Sequence, residues 1–247
     1  MGGPRPMCRA SKSLAALLAF LASSAVFAGS FQVSPVRVEL SPTVATASIN
    51  VRNESTTDAV VVQLRPMDWK QVGGEDAYTS SPDLIATPPI FTLQPGATQT
   101  VRVGLRRAEA RDVQQTFRLF ITEVPGPPKE GFQGLQVALN IGIPVFIAPK
   151  AKRVTALAWR AKPAADGKLA LTATNPGNSH VQILEAKVLE GTDAIVTTQQ
   201  PRYILAGQTV TWQLPAARPP KGPLRVTART DSGDVEADVS LEPSAPK

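Results

Sequence analysis

After residue 30 the chain alternates between apolar and polar positions in short segments. Such alternation is typical of strands that turn one face toward a core, and the Pro, Gly, Asn and Asp residues between the segments favour turns. The clearest examples are 47–51, 101–105 and 117–121. Residues 106–115 are too polar for a packed helix, so we expect an exposed turn or loop there. The pattern predicts an all-β protein built from antiparallel sandwiches.

A basic stretch with one proline, residues 148–153, interrupts the strand pattern, which starts again at Val154. The two halves on either side each approach the ~100 residues of a seven-stranded immunoglobulin-like sandwich. We therefore predict two such domains, 29–148 and 154–242, joined by a linker at 149–153 and followed by a tail at 243–247. In the second domain we expect strands at 169–174, 180–189 and 203–214, and a closing hairpin at 224–241 that turns at 231–234.

Residues 1–28 have the character of a secretory signal peptide. Basic residues come first, an apolar run at 14–22 follows, and Val26, Phe27 and Ala28 place small residues at the usual cleavage positions. The alternative is a membrane anchor. A spanning helix needs ~20 apolar residues, and here Ser23 and Ser24 interrupt the run too early. We expect the segment to be cleaved and the mature protein not to be embedded in a membrane.

The composition and charge argue against several classes of function. The 247 residues are 43% apolar, enough for one or two cores. Removing residues 1–28 takes away three basic residues and no acidic one, so the net charge falls from +6 to +3, too little for a nucleic-acid surface. The single cysteine and single histidine argue against a zinc site, an internal disulfide and most catalysis by a histidine base. No nucleotide-binding fingerprint is present, and we predict no cofactor, no metal and no enzyme.

Residues 135–147 form the most informative segment. Apolar side chains occupy every second position without a miss, at Leu135, Val137, Leu139, Ile141, Ile143, Val145 and Ile147. On a strand all seven point to one face. An ordinary core strand is one explanation, but thirteen residues exceed the five or six that are usual for a strand. An edge strand that extends beyond its own sheet is the other explanation, and it is a template for pairing with a second chain.

Several short motifs occur together along the chain. They are Ile85-Ala86-Thr87-Pro88-Pro89, Leu93-Gln94-Pro95-Gly96-Ala97, Val101-Arg102-Val103, Glu123-Val124-Pro125, Leu135-Gln136-Val137-Ala138-Leu139 and Asn175-Pro176-Gly177-Asn178-Ser179-His180. In this combination they resemble the PapD-like periplasmic pilus chaperones. The resemblance covers essentially all of the mature chain and is strongest at 37–149. The sequences Thr116-Phe117-Arg118-Leu119-Phe120 and Ile143-Pro144-Val145-Phe146 are similar to the alternative or archaic branch of that family.

The resemblance implies two immunoglobulin-like domains in a boomerang arrangement, in the periplasm. Its clients would be pilus subunits that lack the last strand of their own sandwich. The chaperone would lend them a strand, with Leu135, Val137, Leu139, Ile141 and Ile143 as the donated row, and would pass them to an outer-membrane usher. Main-chain hydrogen bonds and alternate side chains carry such strand addition.

The resemblance also implies a basic pair that holds the subunit's terminal carboxylate. Arg37 occupies the first position, and we expect it and Glu39 on the face opposite Val36, Val38 and Leu40. From the pattern alone, Arg37 also fits a solvated surface residue. The lysine usual in the lent strand aligns with Pro144, so we predict that Arg118 on the neighbouring strand supplies the second charge.

Three other classes compete with this interpretation. A pilus subunit or adhesin shares the sheet class, but two apparently complete modules do not suit it. A carbohydrate-binding sandwich would use exposed aromatic residues, whereas Trp69, Trp159 and Trp212 are scattered, and we expect each of them in or beside a core. An enzyme would need more than His180, which stands without a nucleophile motif.

Overall fold

The computed structural model describes residues 31–107, 109, 111–127, 131, 133–164 and 167–242. The predicted signal peptide, 1–28, and the tail, 243–247, lie outside the described residues. Within them the regular structure is made of strands and no α-helix is present, which confirms the predicted all-β class.

The described residues contain eighteen strands. Those of the first half are β1 (Phe31–Ser34), β2 (Val38–Leu40), β3 (Thr46–Asn53), β4 (Val60–Val72), β5 (Glu75–Ser80), β6 (Leu84–Thr87), β7 (Ile90–Leu93), β8 (Thr98–Leu105), β9 (Gln115–Val124) and β10 (Asn140–Ile147). Those of the second half are β11 (Ala158–Pro163), β12 (Lys168–Thr174), β13 (Val181–Glu190), β14 (Asp193–Thr198), β15 (Arg202–Ile204), β16 (Thr209–Pro215), β17 (Leu224–Thr230) and β18 (Gly233–Leu241).

The first half is a sandwich of two sheets. One sheet has the order β1-β3-β8-β6, and the other has the order β2-β10-β9-β4-β5 with β7 beside β4. The inward side chains of both sheets form one continuous core that includes Ile49, Val62, Val101, Leu119, Ile121 and Val145. Because β10 lies between β9 and β2, the segment singled out in the sequence is part of this second sheet.

The second half is built from a single sheet that folds over its own inner face. Its order is β14-β13-β17-β18-β11-β12-β16, and β15 pairs with β13. The two ends of this order meet again, since β14 contacts β16 and the Ala217 amide donates to the Ile195 carbonyl at 2.8 Å. The enclosed core contains Trp159 and Trp212. Trp69 is also buried, so all three tryptophans lie in cores as predicted.

Most predicted strands of both halves are present, with differences at their ends. The alternating segments correspond to β3, β8 and β9, and the closing hairpin to β17 and β18. The predicted strand at 203–214 is instead two strands, β15 and β16, separated by a turn in which Gly207 has a φ of 71°. The strand expected to restart at Val154 begins at Ala158. The domain boundaries themselves stay predictions.

Two buried asparagines close equivalent turns in the two halves. The amide of Asn53 donates to the Leu93 carbonyl at 3.1 Å, and its Oδ1 accepts from the Ser55 amide at 2.9 Å. Asn175 repeats this arrangement, with a donor bond of 3.0 Å to the Ile204 carbonyl and an acceptor bond of 3.0 Å from the Gly177 amide. Each side chain thus replaces backbone partners that a buried turn cannot find in water.

Candidate functional site

One edge of the second sheet is open beside β10. β10 pairs with β9 along its whole length, from Asn140 to Ile147. On its other side it pairs with β2 only from Val145 to Ile147. Within the described part of the chain, residues 140–144 therefore have a neighbouring strand on one side alone. An unpaired edge of this kind accepts an additional strand.

Alternate residues of β10 direct their backbone groups to opposite sides of the strand, and two hydrogen bonds show which residues face the open edge. The Glu123 amide donates to the Leu139 carbonyl at 2.8 Å, so odd-numbered residues direct their backbone groups toward β9. The Ala148 amide donates to the Leu40 carbonyl at 2.8 Å, so even-numbered residues direct theirs toward β2 and the open edge. Asn140 and Gly142 therefore present amides to the edge. Pro144 has no amide hydrogen, and the row of donors ends there.

The predicted long strand is shorter than expected. Leu135 and Val137 lie outside any strand, and their exposed fractions are 87% and 71%. Leu139 and Ile141 are partly buried against the amino-terminal core. Ile143 is 1% exposed, so its side chain belongs to the protein's own core and is not free for a partner, contrary to its predicted place in the donated row. β10 begins at Asn140, opposite Thr122, although β9 continues to Val124.

A small aromatic cluster joins the two halves next to this edge. Trp69 of β4, Phe146 of β10 and Leu205 beyond β15 are buried together, with Tyr78 and Tyr203 packed against them. The Gln71 side chain connects the same surfaces. Its amide donates to the Tyr203 carbonyl at 2.8 Å, and its oxygen accepts from the Leu205 amide at 3.0 Å.

Arg37 lies at the rim of this cluster and is already paired. Its Nη1 is 2.8 Å from Asp231 Oδ2, and its Nη2 contacts both Glu39 and His180 Nε2. Burial lowers the pKa of Arg37, but the contacts with Asp231 and Glu39 together have the larger effect. The net pKa is raised above its ordinary value, so the residue stays charged. Val38 and Leu40 point inward as predicted, whereas Val36 is 70% exposed because β2 begins only at Val38.

His180 is the buried centre of the contact between the halves. Its ring stacks on Phe146 with 3.6 Å between the centroids, and its Nδ1 is 2.6 Å from Gln114 Oε1. A carboxamide oxygen only accepts, so Nδ1 carries the proton and Nε2 accepts from Arg37 at 2.9 Å. Burial lowers the pKa of His180; the contact with Asp231 opposes this shift, and Arg37 and Arg153 reinforce it. The ring is therefore neutral.

Arg118 lies on β9, the strand beside β10, as the sequence predicts, and its side chain is on the face that carries the aromatic cluster. The structure pairs it with Pro144. Phe117 and Leu119 point the other way, into the core. The Arg118 guanidinium carbon is 4.2 Å from the centre of the Trp69 ring and 5.9 Å from the centres of the Tyr78 and Tyr203 rings. Its ion pair with Asp76 is long, at 4.0 Å. Aromatic faces thus fix the position of this cation while leaving its charge only weakly compensated.

Sequence reasoning missed the residues that hold the two halves together: Gln71, Gln114, His180, Tyr203 and Asp231. One signal was available. Phe146 is a large apolar residue at an even position, between smaller or polar residues at the other even positions of 135–147. A side chain of that size on the second face of a strand indicates that this face is also covered.

Comparison with known proteins identifies the family. Residues 30–152 match the family described as pili and flagellar-assembly chaperone, PapD N-terminal domain. A probable fimbrial chaperone, LpfB of Escherichia coli O157:H7, is 27% identical over 142 residues, which are 56% of this chain. The chain belongs to the PapD-like pilus chaperones. The matched region spans 58% of the length of LpfB.

Solved structures of such chaperones share the fold. A chain of the CsuC–CsuE chaperone–tip adhesion subunit complex from the archaic Csu pili of Acinetobacter baumannii superposes with a TM-score of 0.67 at 18% identity, covering 87% of this chain and 100% of the other. A chain of the Salmonella enterica SafA pilin–SafB chaperone complex gives 0.61 at 18% identity, covering 85% and 97%. These likenesses support the predicted pair of immunoglobulin-like domains. The described residues contain no helix that is long and apolar enough to cross a membrane.

Proposed function

We propose that this PapD-like protein is a periplasmic chaperone that binds pilus subunits by lending them a strand and delivers them to an outer-membrane usher. The observation that carries the proposal is the exposure of Leu135 and Val137 directly before the open edge at 140–144. Large aliphatic side chains rarely stay in water beside an unpaired strand edge unless a partner covers them.

The backbone of the open edge supports strand addition. The amides of Asn140 and Gly142 and the neighbouring carbonyls are directed to the side where β2 has ended. A subunit strand that pairs there gains main-chain hydrogen bonds, and its own open groove receives the chaperone's aliphatic side chains. Pro144 limits the donated region to the residues before it, because proline cannot donate to a further rung.

Burial of the exposed side chains supplies the affinity. Transferring one leucine or valine side chain from water to an apolar groove is worth about 1.5–3 kcal/mol. Leu135 and Val137 are nearly free of contacts in this structure, so most of this gain is available for binding. Leu139 and Ile141 are partly buried already and contribute less. Ordering the segment reduces the total, because each immobilised residue loses conformational freedom.

Arg37 and Arg118 are proposed as the anchor for the subunit's terminal carboxylate. Both charges oppose the rise that burial causes in the pKa of Tyr203, so both arginines lie near this ring, at the contact between the halves. Arg118 has no carboxylate closer than 4.0 Å in the described structure. Arg37 has two carboxylate partners, and Glu39, whose side chain is 51% exposed, is the one that can turn to water and be replaced. A guanidinium grips a carboxylate with two parallel bonds, which fixes the register of the added strand.

The compartment and the later partners belong to the same proposal. The signal-like residues 1–28 and the family membership support export to the periplasm. The likeness to the CsuC–CsuE structure supports the archaic branch, as do the residues around Arg118 and Pro144. The burial of all three tryptophans does not favour the carbohydrate-binding alternative.

Co-purification with a subunit tests the proposal. The probe is the pilus subunit encoded beside this chain, with its amino-terminal extension deleted and expressed together with a tagged chaperone. We expect wild type to recover the subunit and Val137→Asp to lose it, because a carboxylate is costly to bury in an apolar groove. Val72→Asp is the matched control, since Val72 is 70% exposed but lies at the end of β4. Equal recovery by all three proteins contradicts the proposal.

A further inference from the structure

Gly142 is a glycine that its own backbone does not require. It lies within β10, paired opposite Phe120, and its φ is outside the left-handed region that favours glycine. A glycine inside a strand is less favourable than most residues, because it lacks packing and loses more freedom on folding. Such a glycine usually marks a place where another group approaches closely.

Two side chains approach Gly142, the ring of Phe120 and the stem of Arg118. A Cβ atom added at Gly142 would lie 3.3 Å from Arg118 Cδ and 3.5 Å from Arg118 Cγ. It would also lie 3.2 Å from Phe120 Cε1. The two shorter distances are tighter than ordinary contacts between carbon atoms, so a side chain here has to push Arg118 or Phe120 aside. The missing side chain therefore opens the path along which Arg118 crosses the face of β10.

The head of Arg118 depends on that path. Its guanidinium is held over Trp69, between Tyr78 of the first half and Tyr203 of the second. The one hydrogen bond that its side chain makes within the described residues, to the Tyr78 hydroxyl, is long at 3.5 Å. Stacking fixes a planar cation at a narrow distance, so a small displacement of the stem moves the charge away from this position.

We propose that Gly142 is a positioning residue that places the Arg118 charge beside the open edge of β10. The positive charge that binds the carboxylate at the end of the subunit strand then comes from β9 and not from the donated strand. The Arg118 side chain passes β10 at Gly142, where no side chain blocks it. Pro144, which lies opposite Arg118, has no amide hydrogen that competes for the carboxylate. The inference rests on the proposed function, since it specifies how the same cleft holds a subunit's terminal carboxylate. It makes a glycine on the lent strand a determinant of affinity, although that glycine touches no charge itself.

A double-mutant cycle tests the role of Gly142. The affinity of purified chaperone for the subunit lacking its amino-terminal extension is measured for wild type, Gly142→Val, Arg118→Ala and the double variant. We expect Gly142→Val and Arg118→Ala each to weaken binding at least about tenfold, the loss expected for one charge-assisted hydrogen bond. The double variant should be no weaker than Arg118→Ala alone, because Gly142 acts through Arg118.

Two controls separate positioning from folding. The better strand propensity of valine opposes the cost of displacing Arg118 or Phe120, so we expect Gly142→Val to fold with a melting temperature close to that of Arg118→Ala. Ser48→Val places a valine at an exposed position of β3, in the other sheet of the first half, and should change affinity less than about twofold, because Ser48 lies opposite Arg102 and away from Arg118 and the open edge. If Gly142→Val does not fold, Gly142→Ala replaces it in the cycle.

Each outcome distinguishes a different failure. If wild type does not bind the subunit, the proposed function fails. If wild type binds and Arg118→Ala binds equally well, the anchor assignment fails, and the role of Gly142 fails with it. If Arg118→Ala weakens binding but Gly142→Val does not, or if Gly142→Val costs the same in the Arg118→Ala background, the inference about Gly142 is overturned while the chaperone function stands.

Discussion

Phe146 serves both halves of the molecule from one position in β10. It is buried, stacks on His180 of the second half and lies 5.8 Å from the Trp69 ring of the first. The Arg37 guanidinium lies 5.2 Å from the same ring. Because the residues before Phe146 form the open edge, the strand proposed to bind a subunit is also fastened to the contact between the halves. Client binding and the position of the second half are thereby connected through a single residue.

His180 gives the folded chain a stability that depends on pH. Burial lowers its pKa; Asp231 opposes this, Arg37 and Arg153 reinforce it, and Gln114 and Tyr203 complete the surroundings as neutral groups. The folded state therefore binds fewer protons than the unfolded state, in which the pKa is about 6.5. The stabilising contribution is complete above that pH and is lost as the pH falls through the folded pKa.

Denaturant unfolding between pH 7.5 and 5.0 measures this effect. We expect the unfolding free energy of wild type to fall toward pH 5.0, by at most about 1.4 kcal/mol per pH unit for one proton. His180→Gln should lower stability at pH 7.5 but lose most of this slope. Burial raises the pKa of the neighbouring Asp231, but the contact with His180 and the hydrogen bonds from the Gln182 amide and Arg37 outweigh it, so the pKa is lowered. The stabilising contribution of Asp231 is lost only below the pKa of an unfolded aspartate, about 3.9, which lies outside the chosen pH range. Equal slopes in both proteins would contradict the assignment.

Residue-scale prediction from the sequence succeeded where a motif or a strand pattern fixed the position. The sequence placed Arg118 on the strand next to the predicted donor strand, and β9 does pair with β10. The register that puts Arg118 opposite Pro144 was not predicted. Val36 was misplaced because alternation was continued past the first residue of β2. The partners of Arg37 could not be found, since Asp231 and His180 are distant in the chain and nothing local connects them.

At the scale of elements, β10 shows what alternation does and does not predict. The odd positions from Ile141 to Ile147 face the core, as the pattern indicates. The pattern could not give the length of the strand, because a strand exists only where a neighbour pairs with it, and the pairing with β9 begins at Asn140. The thirteen-residue β4 was not recognised from the sequence, since its second part packs on the other face, at Trp69 and Gln71.

Amide exchange along β10 should show two classes of residue. In the free chain the amides of Ile141 and Ile143 are directed to β9 and should exchange slowly, whereas that of Gly142 is directed to the open edge and should exchange quickly. Binding of a subunit should protect Gly142. The Ala148 amide, which is bonded to the Leu40 carbonyl, serves as an internal control and should be slow in both states.

Amide exchange followed by nuclear magnetic resonance, with and without bound subunit, gives the comparison. Protection of Gly142 in the free chain would mean that the edge is already paired. Unchanged exchange at Gly142 in the complex, or new protection beginning only beyond Ile147, would mean that the subunit binds elsewhere.

At the scale of the whole molecule, a few polar groups set how the halves meet. The Gln71 side chain bonds to the backbone at Tyr203 and Leu205. The Gln114 side-chain oxygen accepts from the His180 backbone amide, and the Gln114 backbone amide donates to the Asn178 carbonyl. Sequence motifs identified the family and so the fold of each half, but these contacts join loops and strand ends without a periodic pattern. They could be read only from the folded chain.

Removing the Gln71 side chain should weaken the contact between the two halves. Gln71→Ala leaves the Tyr203 carbonyl and the Leu205 amide without their partners, and an unsatisfied buried group costs about 1–3 kcal/mol. We expect calorimetry to show one cooperative transition for wild type, and for the variant a lower and broader transition that separates into two as the halves unfold independently. Gln99→Ala is the control, because Gln99 bonds only to the nearby Thr100 carbonyl within the described structure. A single transition at the wild-type temperature in Gln71→Ala would show that the apolar cluster of Trp69, Phe146 and Leu205 holds the halves together without this side chain.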